Sequence, residues 1–342
     1  MPAAPAPDAP AYAPPVWAPG GHLQTALPSL FRRVGGVAYR RERLELADGD
    51  FLDLDWQPAT AGAPGERVAV VAHGLEGSSG RAYVRGMVRA LAARGWDVAA
   101  WNHRGCSGEP NRLLRAYHSG ATEDLDAVVR HVLAAGYAEA AVVGFSLGGN
   151  VTLKWLGDAG PALDPRVVAG VGVSVPVDLA ASSATMDRPD RRPYMLRFLR
   201  TLRQKTEEKA TRFADAPDPG PVRRMRTFAE FDAHVTAPLH GYASAADYYA
   251  RAASLPVLPR IAAPTLLVNA RNDPFLAPSC FPEVPGNPAF RLLAPDEGGH
   301  CGWPGRPLGG ELWSETAVAR WLGAVRAQAA SASSTAAPPS TA

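Results

Sequence analysis

An α/β fold, with a mostly parallel central sheet, flanking helices and a helical lid inserted into it, is predicted by three observations. Short apolar runs alternate with amphipathic stretches along the chain, which is the pattern of βαβ units covered on both faces. The residues that follow the runs are Gly, Ser, His and Asn, as in His73-Gly74, Asn102-His103 and Phe145-Ser146, so the polar chemistry collects at strand ends. The alternation breaks once, from about Asp178 to Pro256, where no apolar strand can be found.

Taken in order, residues 1–19 are rich in Ala and Pro and read as a flexible arm. Arg40 to Leu46 and Phe51 to Trp56 alternate apolar and polar residues around Ala47-Asp48-Gly49-Asp50, a β-hairpin signal that would add antiparallel strands at one sheet edge. Arg67 to Ala72, Trp96 to Trp101, Ala140 to Phe145 and Arg166 to Val175 are apolar runs of buried strands. Helical spacing over Arg81–Arg94, Thr122–Ala135 and Leu147–Leu156 fills the intervals, with Gly95 and Gly136 as stops. After the break, Thr265 to Asn269 and Phe290 to Leu293 resume the strands, and Glu311 to Ala327 reads as a closing helix. The expected division is a core over 20–177 and 257–326, a helical lid over 178–256, and a disordered Ala/Ser/Thr/Pro tail over 327–342.

Composition narrows the function classes. The chain has 342 residues, enough for one large core with an insertion. Its 35 basic and 33 acidic residues leave a net charge of +2, which offers no general basic field for nucleic acid. Cys106, Cys280 and Cys301 form no C-x-x-C pair and are too few for a disulfide framework, so a reducing cytoplasm is the simplest compartment. No apolar run is long enough to cross a bilayer. Stable membrane insertion is therefore not expected, and peripheral contact stays open. No cluster of metal-ligand spacing occurs, and neither metal nor cofactor is expected.

The chemistry centres on Gly144-Phe145-Ser146-Leu147-Gly148. A serine between glycines at minus two and plus two, on a strand-to-helix turn, is the G-x-S-x-G elbow. Small neighbours let strand and helix approach, and the helix N-terminus favours negative charge near Ser146. Asp273 and His300 each follow a later strand, in the chain order Ser, Asp, His of an α/β-hydrolase triad. A hydroxyl needs an imidazole to take its proton, and an acid on the far ring nitrogen to hold the tautomer. Two backbone N–H groups would complete an oxyanion hole, expected at Leu147 and Leu75.

Other groups compete for these roles. Asp178 is the rival acid, and Asp273 is preferred because it precedes the last strand and His300. His73 is expected to orient the oxyanion loop. His103 and His118 are read as hydrogen-bonded loop residues, and His131 as surface or core filler. Cys106 and Cys301 are read as small thiols. The arginines of 188–226 are taken as a solvated face of lid helices, the alternative being an anionic head group or membrane surface. Leu196, Phe198, Leu199, Phe228 and Phe231 are expected to favour a medium acyl chain.

Seven stretches together resemble the YheT-like branch of the α/β-hydrolases: Pro-Gly-Gly-His-Leu-Gln-Thr (19–25), His-Gly-Leu-Glu-Gly-Ser-Ser (73–79), Asn-His-Arg-Gly-Cys-Ser-Gly-Glu (102–109), Tyr-His-Ser-Gly (117–120), Gly-Phe-Ser-Leu-Gly-Gly-Asn (144–150), Arg-Asn-Asp-Pro-Phe (271–275) and Gly-Gly-His-Cys-Gly (298–302). The segment Phe231–Tyr249 looks like that branch's lid. The resemblance implies a serine carboxylesterase with Ser146, Asp273 and His300 as its triad and a small-molecule ester as substrate. Short- to medium-chain esters are the leading class. Acyl transfer to an alcohol, or lipase- or phospholipase-type activity on glycerolipids, are the alternatives. Two readings of Gly20–Thr25 stay open: packing at an edge far from the site, or shaping an acyl pocket. Oligomeric state leaves no mark in the sequence.

Overall fold

The computed structural model describes residues 3–62 and 65–335. A helix, α1 (Gly20–Phe31), precedes the hairpin β1 (Arg40–Glu45) and β2 (Phe51–Gln57). The core then runs β3 (Arg67–Ala72), α2 (Ala82–Ala92), β4 (Asp97–Asn102), α3 (Thr122–Ala134), β5 (Glu139–Phe145), α4 (Leu147–Ala159) and β6 (Val167–Val173). The insertion contains α5 (Leu179–Met186), α6 (Arg192–Arg212), a single turn α7 (Pro219–Val222), α8 (Phe228–Phe231) and α9 (Ala237–Leu239) joined without a break by a π-helical turn over Asp232–Thr236, and α10 (Ala245–Ala252). The chain closes with β7 (Thr265–Val268), β8 (Phe290–Leu293) and α11 (Trp313–Thr335).

The strands form one eight-stranded sheet in the order β1-β2-β4-β3-β5-β6-β7-β8. Only the β1–β2 and β2–β4 pairs are antiparallel. The central strands are buried on both faces, which is why they read as unbroken apolar runs. In β3, Val68, Val70 and Ala72 join one core while Ala69 and Val71 join the other. Register decides where the site sits. Ala72 pairs with Gly144, Gly144 with Gly172, Val173 with Val268, and Val268 with Leu293. The carboxyl ends of five strands are therefore level, and the loops that leave them share one edge.

Three expectations are corrected. The hairpin lies antiparallel at the sheet edge as expected, but β2 exposes neither face: Leu52, Leu54 and Trp56 join the core while the polar side is buried too. Its inward Asp55 and Asp53 are compensated by Arg41 and Arg43, each at 2.8 Å. The arm is not free: Ala4 is buried and bonded to Pro288, and the Trp321, Trp313 and Tyr12 side chains donate to the carbonyls of Pro5, Pro10 and Pro304. Proline-rich backbone has unpaired carbonyls to offer, and here aromatic N–H and O–H groups take them. The expected tail from 327 continues α11 to Thr335, as its alanines allow. Residues 336–342 lie outside the described residues.

Candidate active site

Ser146 stands at the turn between β5 and α4 with φ +51° and ψ −118°. Few non-glycine residues hold such a backbone conformation, and it presents the side chain at the sheet edge. The turn is crowded: a Cβ at Gly144 would meet Gly148 O at 2.3 Å, and one at Gly148 would meet His73 O at 2.5 Å. Any larger residue at either position would push strand and helix apart.

The three residues singled out from the sequence come together. His300 Nε2 lies 3.0 Å from Ser146 Oγ, and His300 Nδ1 lies 2.8 Å from Asp273 Oδ2. A carboxylate only accepts, so the proton sits on Nδ1 and Nε2 is free to accept from the serine hydroxyl. Asp273 is buried, and its other oxygen accepts from Phe275 N at 2.8 Å. Burial opposes a charge on His300, but the Asp273 carboxylate outweighs it and raises the imidazole pKa above its ordinary value. The Phe275 ring packs on that of His300 with centroids 4.2 Å apart.

Leu75 and Leu147 flank the serine on the cavity wall. Gly74 is pressed against Ser146, where a Cβ would stand 2.9 Å from that of the serine. The N–H groups of Gly74, Glu76 and Gly77 are all taken, by Tyr83 Oη, Tyr117 Oη and Gly74 O. The Leu75 N–H between them has no partner among the described residues. Leu147 opens α4, so its N–H has no carbonyl of that helix to bond. His73 is buried beneath this loop: Nδ1 bonds Gly74 O at 2.8 Å and Nε2 accepts from His103 N at 3.1 Å. That is the loop-orienting place expected of it, and burial keeps it well below the ordinary imidazole pKa.

The remaining candidates fall elsewhere. Asp178 caps α5 by accepting from Ala181 N, and accepts from Ser279 Oγ at 2.7 Å. His103 is sandwiched among His73, Trp101 and Tyr117, and His131 pairs with Glu42. Cys106 is buried beside Lys205, and burial pushes its thiol up to about 11. His118 does reach the cavity, in ring contact with His240. Of the apolar insertion residues expected at the pocket, Phe198, Phe228 and Phe231 line it; Leu199 is buried in the insertion's own core and Leu196 faces outward. One side of an amphipathic helix cannot serve both surfaces.

Gly20–Thr25 fits neither reading left open. It is the start of α1, and its polar side chains hold the histidine loop. Gly298 N, Gly299 N and His300 N donate in succession to Gln24 Oε1 at 2.7 Å, Asn272 Oδ1 at 3.0 Å and Thr25 Oγ1 at 2.8 Å. Gln24 and Asn272 also bond each other and share Glu297. The approach is close enough that a Cβ at Gly299 would meet Gly21 O at 2.7 Å. Gln and Thr one residue apart in a helix carry no local sign of this task.

The cavity beside Ser146 and His300 is lined mostly by apolar residues, including Leu179, Met186, Phe198, Leu202, Phe228, Phe231 and Val235. Its polar positions were not anticipated. Asp232 bonds Tyr249 Oη at 2.7 Å and Thr236 Oγ1 at 2.6 Å, and burial pushes its carboxyl up to about 6. Lys205 pairs with Glu76 at 3.0 Å, while burial pulls Lys209 down to about 8. Among the described residues no group of three or more His, Cys, Asp or Glu could hold a metal ion.

A sequence model of the alpha/beta hydrolase fold family matches residues 69–301. The chain is 40% identical over 311 residues to "Putative esterase YheT" of Escherichia coli (strain K12), covering 88% of this chain and 89% of that protein. It is 30% identical over 308 residues to "Phospholipase ABHD3" of Mus musculus, covering 86% of this chain and 74% of that protein. Among solved structures, an esterase of Pyrococcus furiosus superposes with a TM-score of 0.53 at 17% identity, covering 85% of this chain and 97% of that one. An elbow serine, a histidine loop after the last strand and an acid after the strand before it, on this sheet, agree with these likenesses: the chain belongs to the α/β-hydrolases, in their YheT-like branch.

Proposed function

We propose that the protein is a serine carboxylesterase that hydrolyses short- to medium-chain carboxylic esters through an acyl-Ser146 intermediate. The observation that carries this reading is the Ser146–His300–Asp273 relay, at 3.0 and 2.8 Å, opening on an apolar cavity. His300 Nε2 takes the Ser146 proton as Oγ attacks the ester carbonyl. The developing oxyanion is met by the Leu147 and Leu75 N–H groups. His300 then returns the proton to the leaving alkoxide, and the acyl group stays on Ser146. A water, deprotonated by the same nitrogen, attacks the acyl-serine, and as the C–Oγ bond breaks His300 returns that proton to Ser146 Oγ, releasing the acid and restoring the free serine. Asp273 holds Nδ1–H throughout and stabilises the imidazolium without taking its proton.

The likeness to the protein named as an esterase supports this class. The likeness to the one named as a phospholipase favours glycerolipid esters as the second reading. In either case a fluorophosphonate probe is expected to label Ser146, and Ser146→Ala to abolish labelling and ester hydrolysis. Labelling retained in that variant refutes the proposal. A p-nitrophenyl ester panel from acetate to palmitate then separates the chain lengths. Ester products formed in the presence of added ethanol would point to acyl transfer instead.

A further inference from the structure

The first helix is built inside out. A surface helix ordinarily turns its apolar stripe to the core and its polar side to water. In α1 the buried side carries Gln24, Thr25 and Pro28, while Leu23, Leu30 and Phe31 are 43%, 66% and 65% exposed. The polar side is already engaged with the histidine loop. That contact leaves the apolar side largely uncovered among the described residues.

The stripe continues onto the insertion. His22 stacks on Tyr194 of α6 with rings 5.8 Å apart, and Arg197 donates to Ser29 Oγ at 3.4 Å. Beside that contact, α6 exposes Leu196, at 51%, together with Arg192, Arg197 and Arg200. Arg33, just past α1, is exposed as well. None of these four arginines has a carboxylate within 4.0 Å among the described residues; the nearby acid, Asp190, is already paired with His22, Arg188 and Arg191. A protein of net charge +2 thus gathers unpaired guanidinium groups around its exposed leucines and phenylalanine. The inner side of α6 lines the cavity through Phe198, Leu202 and Lys205.

We propose that this face, formed by the outer sides of α1 and α6, docks on an anionic phospholipid bilayer surface. Charge complementarity selects that occupant. Phosphate groups at the headgroup level match unpaired guanidinium forks, and the acyl boundary beneath them accepts Leu30 and Phe31 at the depth an interfacial helix reaches. Docking brings the helix that lines the cavity against the lipid. No chemistry at Ser146 is required for it.

The test is co-sedimentation of the full chain with phosphatidylcholine vesicles, with and without phosphatidylglycerol, at low and high salt. Binding is expected to the phosphatidylglycerol vesicles and to weaken with salt. A Leu30→Ser, Phe31→Ser double variant should bind at least about tenfold more weakly, since two large apolar groups lose their burial. On α6, away from the histidine loop, Arg192→Glu and Arg200→Glu should each weaken binding about fivefold or more. Circular dichroism melts establish that each variant is folded. Three results would overturn the proposal: no binding to anionic vesicles, equal binding to both compositions, or folded variants that bind as the parent does. A dimer in analytical ultracentrifugation that the double variant dissociates would also overturn it, by giving the face to a second copy.

Discussion

The two sides of the cavity are held together by different physics. On the sheet side, hydrogen bonds fix each loop. Asn102 ties Ser79 and Asp55, Asn269 spans Val175 and Cys280, and Cys301 N bonds Ser174 Oγ. On the insertion side, small apolar clusters carry the packing, with Met195, Leu199, Val222, Phe231 and the tilted Phe198–Phe228 pair in one and the tilted Tyr248–Tyr249 pair in another, and the Asp232–Tyr249 hydrogen bond runs between them. Hydrogen bonds are directional and place atoms to within tenths of an ångström, whereas apolar packing fills volume with little preference for direction. The difference teaches a division of labour. On the proposed function, the sheet side would set which bond reacts and the insertion which substrate fits.

The largest expected effect lies on the sheet side. Asp273→Asn should lower kcat by about 10⁴-fold, since the wrong tautomer of His300 is then favoured. It should also move the pH profile. The base acts unprotonated, so activity rises with pH through the His300 pKa, which Asp273 holds above the ordinary imidazole value. The rising limb is therefore expected on the alkaline side of 6.5 in the parent and lower in the variant. An unmoved limb would break the assignment.

Next comes Arg104, buried among Asp50 at 3.0 Å and Asp124 at 2.7 Å. Arg104→Ala leaves two buried carboxylates without their cation, and unfolding free energy should fall by about 3–5 kcal/mol in urea titrations. A smaller effect is expected from Thr25→Val, which removes the acceptor for His300 N. Misplacing the ring should cost about 10²-fold in kcat with little change in KM, and Thr25→Ser should restore the rate. An equal loss in both variants would show that packing, not the hydrogen bond, holds the loop. The smallest is Phe228→Ala on the insertion. Preference among acyl chains should shift by about tenfold, with the rate on acetate nearly unchanged. A matching loss on every chain length would erase the division of labour.

The α/β architecture could be read because its signals are local. Two-residue alternation, helical spacing and glycine stops lie within windows of a dozen residues. The elbow could be read for the same reason, since Gly144, Ser146 and Gly148 must be small or strained whatever surrounds them. Asp273 and His300 could be read from their order after strands. The insertion was legible only as helical. Nothing in Phe228–Leu239 announces that Asp232 would face a cavity, and nothing in Arg192–Arg212 announces that Leu196 would turn away from it.

By itself the sequence determined the elements, the reactive turn and the set of polar groups at strand ends, because those follow from residue size, backbone freedom and short-range periodicity. Tertiary structure alone decided which of those groups meet. Gln24 and Thr25 reach a loop 274 and 275 residues further along the chain, and α1 turns its polar side inward because that loop offers it the Gly298 and His300 N–H groups. A helix exposes its apolar side when the partner waiting inside is polar, and no pattern within twelve residues can say what is waiting.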